Sequence, residues 1–335
     1  MVQSIQLLTR RSVIALAGGV TAGGVLGLPT AALSQTASWP SRPVRLVVPF
    51  AAGGPADILA RFLAVRLARE LGQPVVIDNK AGAGGTLGAA DVTKSTDGHS
   101  LLFSSTGALT VVPAVSTNMT YNPETDLAAV GQAVVTPQVI VVASSSRITT
   151  LRELIAAAKA APGKLNFASA GNGTTTQLGA ELLKREAGVF MTHIPYRGAA
   201  PAIVDVMAGN ADFLVADVPG VMPFIAGNKL RALAIAATRR SEALPQVPTT
   251  AEMGLPEVLS STWYGVMAPS KMPATAIARA NEALNRVLQL PDAVAFFKEQ
   301  GVTPVGGTAQ EFARFIQSES KKWGSLAKYA GVTMN

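Results

Sequence analysis

Short runs of Val, Ile, Leu and Ala alternate with amphipathic helical patterns along most of the chain after residue 40. The runs are apolar throughout, which is typical of strands that are buried on both faces, as in parallel sheets with helices on either side. Alternation of such strands with helices predicts βαβ units and an α/β fold. The clearest strand-like runs are VRLVV (44–48), HSLLFSS (99–105), QVIVVAS (138–144), KLNFASA (164–170) and ADFLVAD (211–217).

Two longer extended stretches suggest how these units are divided. They are LAAVGQAVVTPQVIVVASSS (127–146) and EVLSSTWYGVMAPS (257–270). Because the number of strands exceeds what one compact sheet usually needs, we expect two sheets and interpret the stretches as crossovers between two lobes. The predicted lobes are 35–135 with 256–335, and 136–255. A ligand would bind in the cleft between them.

The first 34 residues have the layout of a secretory signal peptide. Arg10 and Arg11 precede a mildly apolar, Gly- and Ala-rich run that ends in small residues around Ser34. The arginine pair suggests the twin-arginine route, cleavage near Ser34 and a periplasmic location. A membrane anchor is the alternative, since about 20 apolar residues can span a bilayer. The several glycines and Pro29 favour the signal peptide, and we expect no anchor after processing.

Composition excludes several kinds of chemistry. The chain has no cysteine, so disulfides, thiolate metal sites and a cysteine nucleophile are absent, and its two histidines argue against a histidine zinc site. Without residues 1–34 there are 26 basic and 21 acidic residues, a net charge of +5 that is scattered along the chain. This pattern argues against nucleic acid as a partner and suits a small anion.

Four loops that are rich in small and polar residues follow predicted strands. In parallel sheets, ligands bind beyond the carboxyl ends of the strands. The N-terminus of a following helix offers free N–H groups and partial positive charge, so a carboxylate can bind there without a metal. The loops are AAGG (51–54), SSTG (104–107), SAGNGT (169–174) and YRG (196–198).

Catalytic and nucleotide-binding motifs are missing from these loops. The sequence has neither a P-loop nor G-x-S-x-G, and GAGGTLG (82–88) matches a dinucleotide fingerprint only loosely, so we interpret it as a flexible turn before a helix. Asp57 and Asp217 could contact ligand or lock their own loops, and His193 could be structural or close to the ligand. Arg197 could bind a ligand carboxylate in a fork, or pair with an acid such as Asp217.

Seven blocks of the sequence, in order and covering nearly the whole chain after residue 38, resemble the Bug-type solute-binding proteins of tripartite tricarboxylate transporters. They are WPSRPVRLVVPFAAGGPADILAR (39–61), LGQPVVIDNKAGAGGTLGAADV (71–92), DGHSLLFSSTG (97–107), PGKLNFASAGNGTTTQLGAELL (162–183), THIPYRGAAPAIVDVMAGN (192–210), LPQVPTTAEMG (244–254) and WYGVMAPSKMPATAIARANEALN (263–285).

The resemblance implies a two-lobed periplasmic binding protein of type II-like architecture, with mixed sheets flanked by helices and joined by two crossover strands. It implies a small carboxylate ligand, delivery to membrane permease subunits, hinge closure, and no catalysis, cofactor or metal. A ligand-sensing component for a membrane kinase is the alternative, and a periplasmic enzyme is a third possibility. The family motifs map onto Gly53, Gly54, Asp57, Ser169, Gly171, Asn172, Thr174, Tyr196, Arg197 and Gly198. The loops at the strand ends add Ser105, Thr106 and Asp217 as candidates.

Three positions depart from the family pattern that the resemblance implies. Ala56 stands where members often have Thr, Gln177 where they often have His, and Ala216 at a commonly acidic position that is followed here by Asp217. Because the changes fall at the expected cleft, they could favour a ligand with an apolar or aromatic body.

Overall fold

A computed structural model of the chain describes residues 39–329 and 331–332, so the predicted signal peptide lies outside the described residues. Within these residues there are ten strands: β1 (Val44–Val48), β2 (Val75–Asn79), β3 (Ser100–Ser105), β4 (Leu127–Ala143), β5 (Asn166–Ser169), β6 (Thr192–Pro195), β7 (Phe213–Asp217), β8 (Leu230–Ile235), β9 (Ser261–Pro269) and β10 (Thr303–Gly306). The same part of the chain forms ten α-helices, which are α1 (Pro55–Leu71), α2 (Thr86–Thr93), α3 (Val112–Val115), α4 (Leu151–Ala160), α5 (Thr175–Ala187), α6 (Ala199–Ala208), α7 (Val218–Ala226), α8 (Ala274–Leu288), α9 (Pro291–Glu299) and α10 (Ala309–Tyr329).

The strands form one mixed sheet in the order β2-β1-β3-β9-β4-β7-β5-β6, with β8 and β10 also paired to β4. Strand β1 runs parallel to β2 and β3, and β5 runs parallel to β6 and β7. Strand β4 joins the two groups, since its residues up to Pro137 pair with β9 and those from Gln138 onwards pair with β7 and β8. The α/β prediction is confirmed, with the two expected sheets continuous through one long strand. The proposed lobe boundaries remain a prediction.

Helix α1 shows why the chain turns into a helix directly after β1. Pro55 occupies its first turn, where no N–H is needed, and Gly72 ends it with φ of 72°. Leu59, Leu63 and Leu67 recur at the helical period and are buried. They belong to the same core cluster as the β1 residues, which fixes the start of α1 beside the end of β1.

Two Thr-x-x-Glu capping boxes begin helices. Thr150 accepts a hydrogen bond from the Glu153 N–H at the start of α4, and Thr308 accepts one from the Glu311 N–H at the start of α10. The reciprocal bonds between Thr249 and Glu252 also form, but they close a turn rather than begin a helix. Among the described residues, no helix is both long enough and apolar enough to cross a membrane.

Candidate functional site

The N-termini of four helices meet at one cavity. Its lining includes the first residues of α1, α5 and α6 together with Asp217, the residue before α7. The N–H groups of Thr175 and Thr176 at the start of α5, and of Ala56 in α1, have no acceptor among the described residues. Free N–H groups and aligned helix dipoles favour negative charge. The full lining is Phe50, Gly54, Pro55, Ala56, Ser105, Ala170, Thr174, Thr175, Thr176, Ala199, Asp217, Thr262 and Tyr264.

Asp57 stabilises the loop of residues 51–54 that follows β1. Its carboxylate accepts hydrogen bonds from the Gly53 N–H (2.9 Å), Arg61 Nε (2.9 Å) and Asn79 Nδ2 (3.0 Å). Burial alone would raise the pKa of Asp57, but these hydrogen bonds hold it below its usual value. Of the three candidates in this loop, only Gly54 lines the cavity. Asp57 has the loop-locking role, and Gly53, with φ of 80°, provides the turn.

The loop after β3 contributes one candidate to the cavity. Ser105 lines it, whereas Thr106 is fully buried and accepts a hydrogen bond from the Trp263 N–H (3.0 Å). Thr106 therefore fixes β9 against the end of β3. Although Thr106 directly follows Ser105 in the sequence, it does not line the cavity.

The loop after β5 is braced by its own hydroxyl groups. Ser169 Oγ lies 2.6 Å from His193 Nε2, and Thr174 Oγ1 donates to the Gly171 carbonyl oxygen at 2.6 Å. Burial, with a smaller contribution from the charge of Lys184, lowers the pKa of His193 to about 4. Thr174 lines the cavity, while Ser169 and Gly171 shape the loop behind it. The structural reading of His193 agrees with this geometry.

The Tyr-Arg-Gly segment (196–198) lies outside the lining of the cavity. Tyr196 donates to Asp205 Oδ2 at 2.6 Å, away from the cavity, and burial together with this hydrogen bond raises the pKa of Tyr196 to about 12. Arg197 is exposed and forms no ion pair among residues 39–329. Neither side chain lines the cavity. The suggested pairing of Arg197 with Asp217 is wrong, because Asp217 is buried with other partners.

Asp217 is the charged group of the cavity. It is 2% exposed, and its Oδ1 accepts from Gln138 Nε2 (3.0 Å) and Thr262 Oγ1 (2.6 Å), while its Oδ2 accepts from the Tyr264 hydroxyl. Burial raises the pKa of Asp217, and the three hydrogen bonds act in the opposite direction. Burial and the adjacent Asp217 raise the pKa of Tyr264 well above its usual value. The network joins β4, β7 and β9, and Asp217 both lines the cavity and ties the strands that meet there.

Glycines bring the loops on opposite sides of the cavity into close contact. A Cβ at Gly198 would lie 3.0 Å from the Ala51 backbone nitrogen, and one at Gly107 would lie 3.1 Å from the Gly173 carbonyl oxygen. A Cβ at Gly84 would overlap the carbonyl oxygen of Asn172. Asn172, a predicted ligand contact, is exposed beside this contact and does not line the cavity. The neighbouring loop therefore leaves little room for a side chain at these three positions, and the positive φ of Gly84 (64°) and of Gly198 (129°) favours glycine there as well.

Sequence reasoning missed the two side chains of β9 in the site, Thr262 and Tyr264. Both residues lie in the stretch 257–270, which we interpret from the sequence as a crossover between lobes, and no local motif identifies them as site residues. Their alternation in the strand was the available signal, because residues two apart in a strand face the same side. Phe50, at the end of the first strand, was likewise passed over in favour of the glycines after it.

The cavity offers hydrogen-bond donors but little space. Its volume is about 20 Å³, room for about one water molecule, and its lining contains no Lys, Arg or His. Among the described residues, no group of three acidic or histidine side chains is placed to hold a metal ion. The arrangement can hold an anion through backbone N–H groups and hydroxyls.

Comparison with known proteins identifies the family. Residues 59–332 match the tripartite tricarboxylate transporter family receptor, TctC. The chain belongs to this family. It is 38% identical over 299 residues to Protein BugT of Bordetella pertussis, a match that covers 89% of this chain and 92% of BugT. The Bug-type resemblance is confirmed, and so is the prediction of a binding protein rather than an enzyme, since the family consists of solute-binding receptors.

Solved structures of relatives have the same fold. Rpa4515 of R. palustris, solved with adipate, is 33% identical with a TM-score of 0.85, and the match covers 88% of this chain and 99% of that one. MatC of Rhodopseudomonas palustris, solved with bound malate, is 31% identical with a TM-score of 0.82, covering 86% and 99%. The periplasmic binding protein BugD is 31% identical with a TM-score of 0.85, covering 89% and 100%. The prediction of a periplasmic binding protein fold is confirmed.

Proposed function

We propose that this chain is a periplasmic receptor that captures a small carboxylate between its two lobes and delivers it to the membrane subunits of a tripartite tricarboxylate transporter. The observation that carries the proposal is the convergence of four helix N-termini on one cavity that has no basic side chain. Helix N-termini bind carboxylates without a counter-cation. The adipate and malate in the structures of two relatives support the same ligand class.

Binding requires the loops around the cavity to move apart. Ligand sites usually enclose about 300–1,000 Å³, whereas this cavity has about 20 Å³. The close contacts at Gly84, Gly107 and Gly198 belong to an arrangement in which the loops are together. A ligand that contacts both sides would favour the closed arrangement over an open one. In this proposal closure is the signal that a permease would recognise.

A thermal-shift screen of residues 35–335 tests carboxylate binding. The panel holds aliphatic di- and tricarboxylates, amino acids and aromatic acids, with the matching amides as uncharged controls. A ligand at 100 times its Kd adds about 2.7 kcal/mol to the free energy of unfolding, which is a measurable rise in melting temperature. We expect acids to stabilise the protein and their amides not to. Equal shifts for acids and amides, or no shift for any acid on folded protein, would exclude the carboxylate function.

Delivery and export need separate tests. Uptake of the identified ligand by proteoliposomes that contain the cognate permease should depend on this receptor, and uptake that proceeds equally without it would refute delivery. For export, mass spectrometry of the protein from a periplasmic fraction should give a chain that begins near residue 35. A full-length chain in the membrane fraction would instead support the anchor interpretation of residues 1–34.

A further inference from the structure

Asp217 presents a buried carboxyl group to the cavity without a cation beside it. The groups that face it are Gln138 from β4 and Thr262 and Tyr264 from β9, and Thr175 of α5 lies one hydrogen bond beyond Thr262. None of these carries positive charge. Among the described residues, Asp217 forms no salt bridge, although thirteen other pairs of acidic and basic groups do.

A buried carboxylate without a neighbouring positive charge is energetically unfavourable. Buried charges in proteins are paired, or else the group changes its protonation state. Burial raises the pKa of Asp217, and the groups that act against this shift are three hydrogen-bond donors without positive charge. Three donors nevertheless point at the carboxyl group, an arrangement that suits the ionised form. They use three of its roughly four acceptor positions, so one acceptor position and the negative charge remain available.

The rest of the cavity favours a cation close to this carboxylate. Phe50 and Tyr264 contribute aromatic rings to the lining. Aromatic faces attract ammonium groups, and more strongly where water is excluded. A carboxylate with two aromatic rings is therefore a chemically coherent site for a positively charged nitrogen.

The anion-binding part of the cavity lies close by. Thr262 Oγ1 is 2.6 Å from Asp217 Oδ1 and 2.6 Å from Thr175 Oγ1, at the first residue of α5. The hydroxyl group of Thr262 thus links the Asp217 carboxylate to the side chain of Thr175, whose own backbone N–H is one of the free groups at the start of α5. A ligand that binds both the Asp217 carboxylate and the free N–H groups at the start of α5 must carry its positive and negative charges only a few atoms apart.

We propose that Asp217 is the specificity-determining residue of the site and that it selects small amino acids, whose ammonium group it neutralises while the helix N-termini hold the adjacent carboxylate. This rests on the proposed function and narrows its ligand class from carboxylates in general to zwitterionic ones. The ligand supplies the cation that the protein lacks. Plain and hydroxylated acids of the same shape leave Asp217 without a countercharge.

Matched ligands test the proposal on the unmodified chain. Aspartate, malate and succinate share one four-carbon frame and differ at C2, where they carry ammonium, hydroxyl and hydrogen; glutamate, 2-hydroxyglutarate and glutarate, and alanine, lactate and propionate, repeat the series at other lengths. We expect the ammonium member of the best-bound frame to bind at least tenfold more tightly than the other two in calorimetric titrations. Its affinity should also fall as the pH passes the pKa of the ligand's own ammonium group.

The variant Asp217→Asn tests the residue itself. It keeps the shape of the side chain and removes the charge, so the ammonium ligand should bind at least tenfold less tightly, while the affinities of the hydroxyl and hydrogen analogues change less than threefold. Glu257→Gln, at an exposed position of the chain, removes one charge elsewhere and should bind all ligands as the unmodified protein does. Melting temperatures show that both variants are folded.

The outcomes separate the two proposals. If malate or succinate binds as tightly as aspartate, and the longer and shorter series agree, the carboxylate function stands and the role of Asp217 is wrong. Retention of the ammonium preference by Asp217→Asn also overturns it. If Asp217→Asn does not fold, the pH dependence of ligand affinity in the unmodified chain decides. An affinity that stays the same when the ligand's ammonium group loses its proton would refute charge pairing with Asp217. If no acid of any series binds, the proposed function is itself wrong and the inference falls with it.

Discussion

The contact between Gly84 and the loop after β5 predicts that a single methyl group will block closure. In Gly84→Ala, the new Cβ overlaps the Asn172 carbonyl oxygen and lies 3.1 Å from Val112 Cγ2. Gly84 also has φ of 64°, at which an alanine costs about 1–2 kcal/mol. The strain is present whether the loops are together or apart. The overlap exists only when they are together, and relieving it should cost a further ~1–3 kcal/mol, as overpacking does.

The two costs are separated by a matched control. Gly98 has φ of 65°, yet no atom lies within 4 Å of where its Cβ would be. Gly98→Ala therefore carries the backbone strain without the overlap. Both variants should lower the melting temperature by a similar few degrees, since ~1 kcal/mol corresponds to about 2–4 °C in a protein of this size class. Only Gly84→Ala should weaken binding, by about 5- to 150-fold for ~1–3 kcal/mol.

Isothermal titration with the ligand from the screen measures the binding difference, and small-angle X-ray scattering with and without ligand measures compaction. Gly84→Ala should require higher ligand concentration to reach the compact form. Wild-type affinity in Gly84→Ala would refute the idea that this contact belongs to the ligand-bound arrangement. An equal loss of affinity in Gly98→Ala would show that backbone strain, rather than the overlap, is responsible.

Three further predictions concern side chains whose roles were left open by the sequence. His193, with a pKa lowered to about 4, resists protonation in the folded protein, so stability should fall as the pH decreases from 6.5 towards 4, and His193→Gln should show a smaller drop in melting temperature between pH 7 and pH 5. Asp57→Ala removes the acceptor of the Gly53 N–H and should lower the free energy of unfolding in urea by about 1–3 kcal/mol; an unchanged midpoint would contradict the loop-locking role. Arg197→Ala should change Kd by less than threefold, because the exposed guanidinium does not line the cavity, and a larger loss would show that it reaches the ligand.

The sequence was most informative where the signal is local. Continuous apolar runs identified the buried strands, and Pro55, shortly after a strand, is a local signal for the start of α1. Helix α7 carries no clear helical signal, because prolines at positions 219 and 223 interrupt its pattern; the structure accommodates both, one of them in the first turn. The ordered motifs were sufficient to indicate the family, since each reflects a backbone requirement at the end of a strand.

Tertiary structure decided which polar residues face the cavity. Among the predicted ligand contacts, Gly54, Ser105, Thr174 and Asp217 line the cavity, whereas Asp57 turns back into its own loop; ligand contact itself stays a prediction. The donors to Asp217 come from distant parts of the chain, β4 and β9, whereas two of the three donors to Asp57 lie only four residues away. Local sequence carries no information about the partners of Asp217.

The sequence by itself thus determined the α/β class, the loops that end the strands and the chemical preference of helix N-termini for anions. Only the folded chain brought Thr262 and Tyr264 of β9 against Asp217, which lies 45 and 47 residues away from them in sequence. The physical reason is that helix caps and strand ends depend on neighbouring residues, whereas the charge balance of a buried site depends on every group that the fold packs around it. A carboxyl group without a cation becomes visible only when all of its neighbours are known.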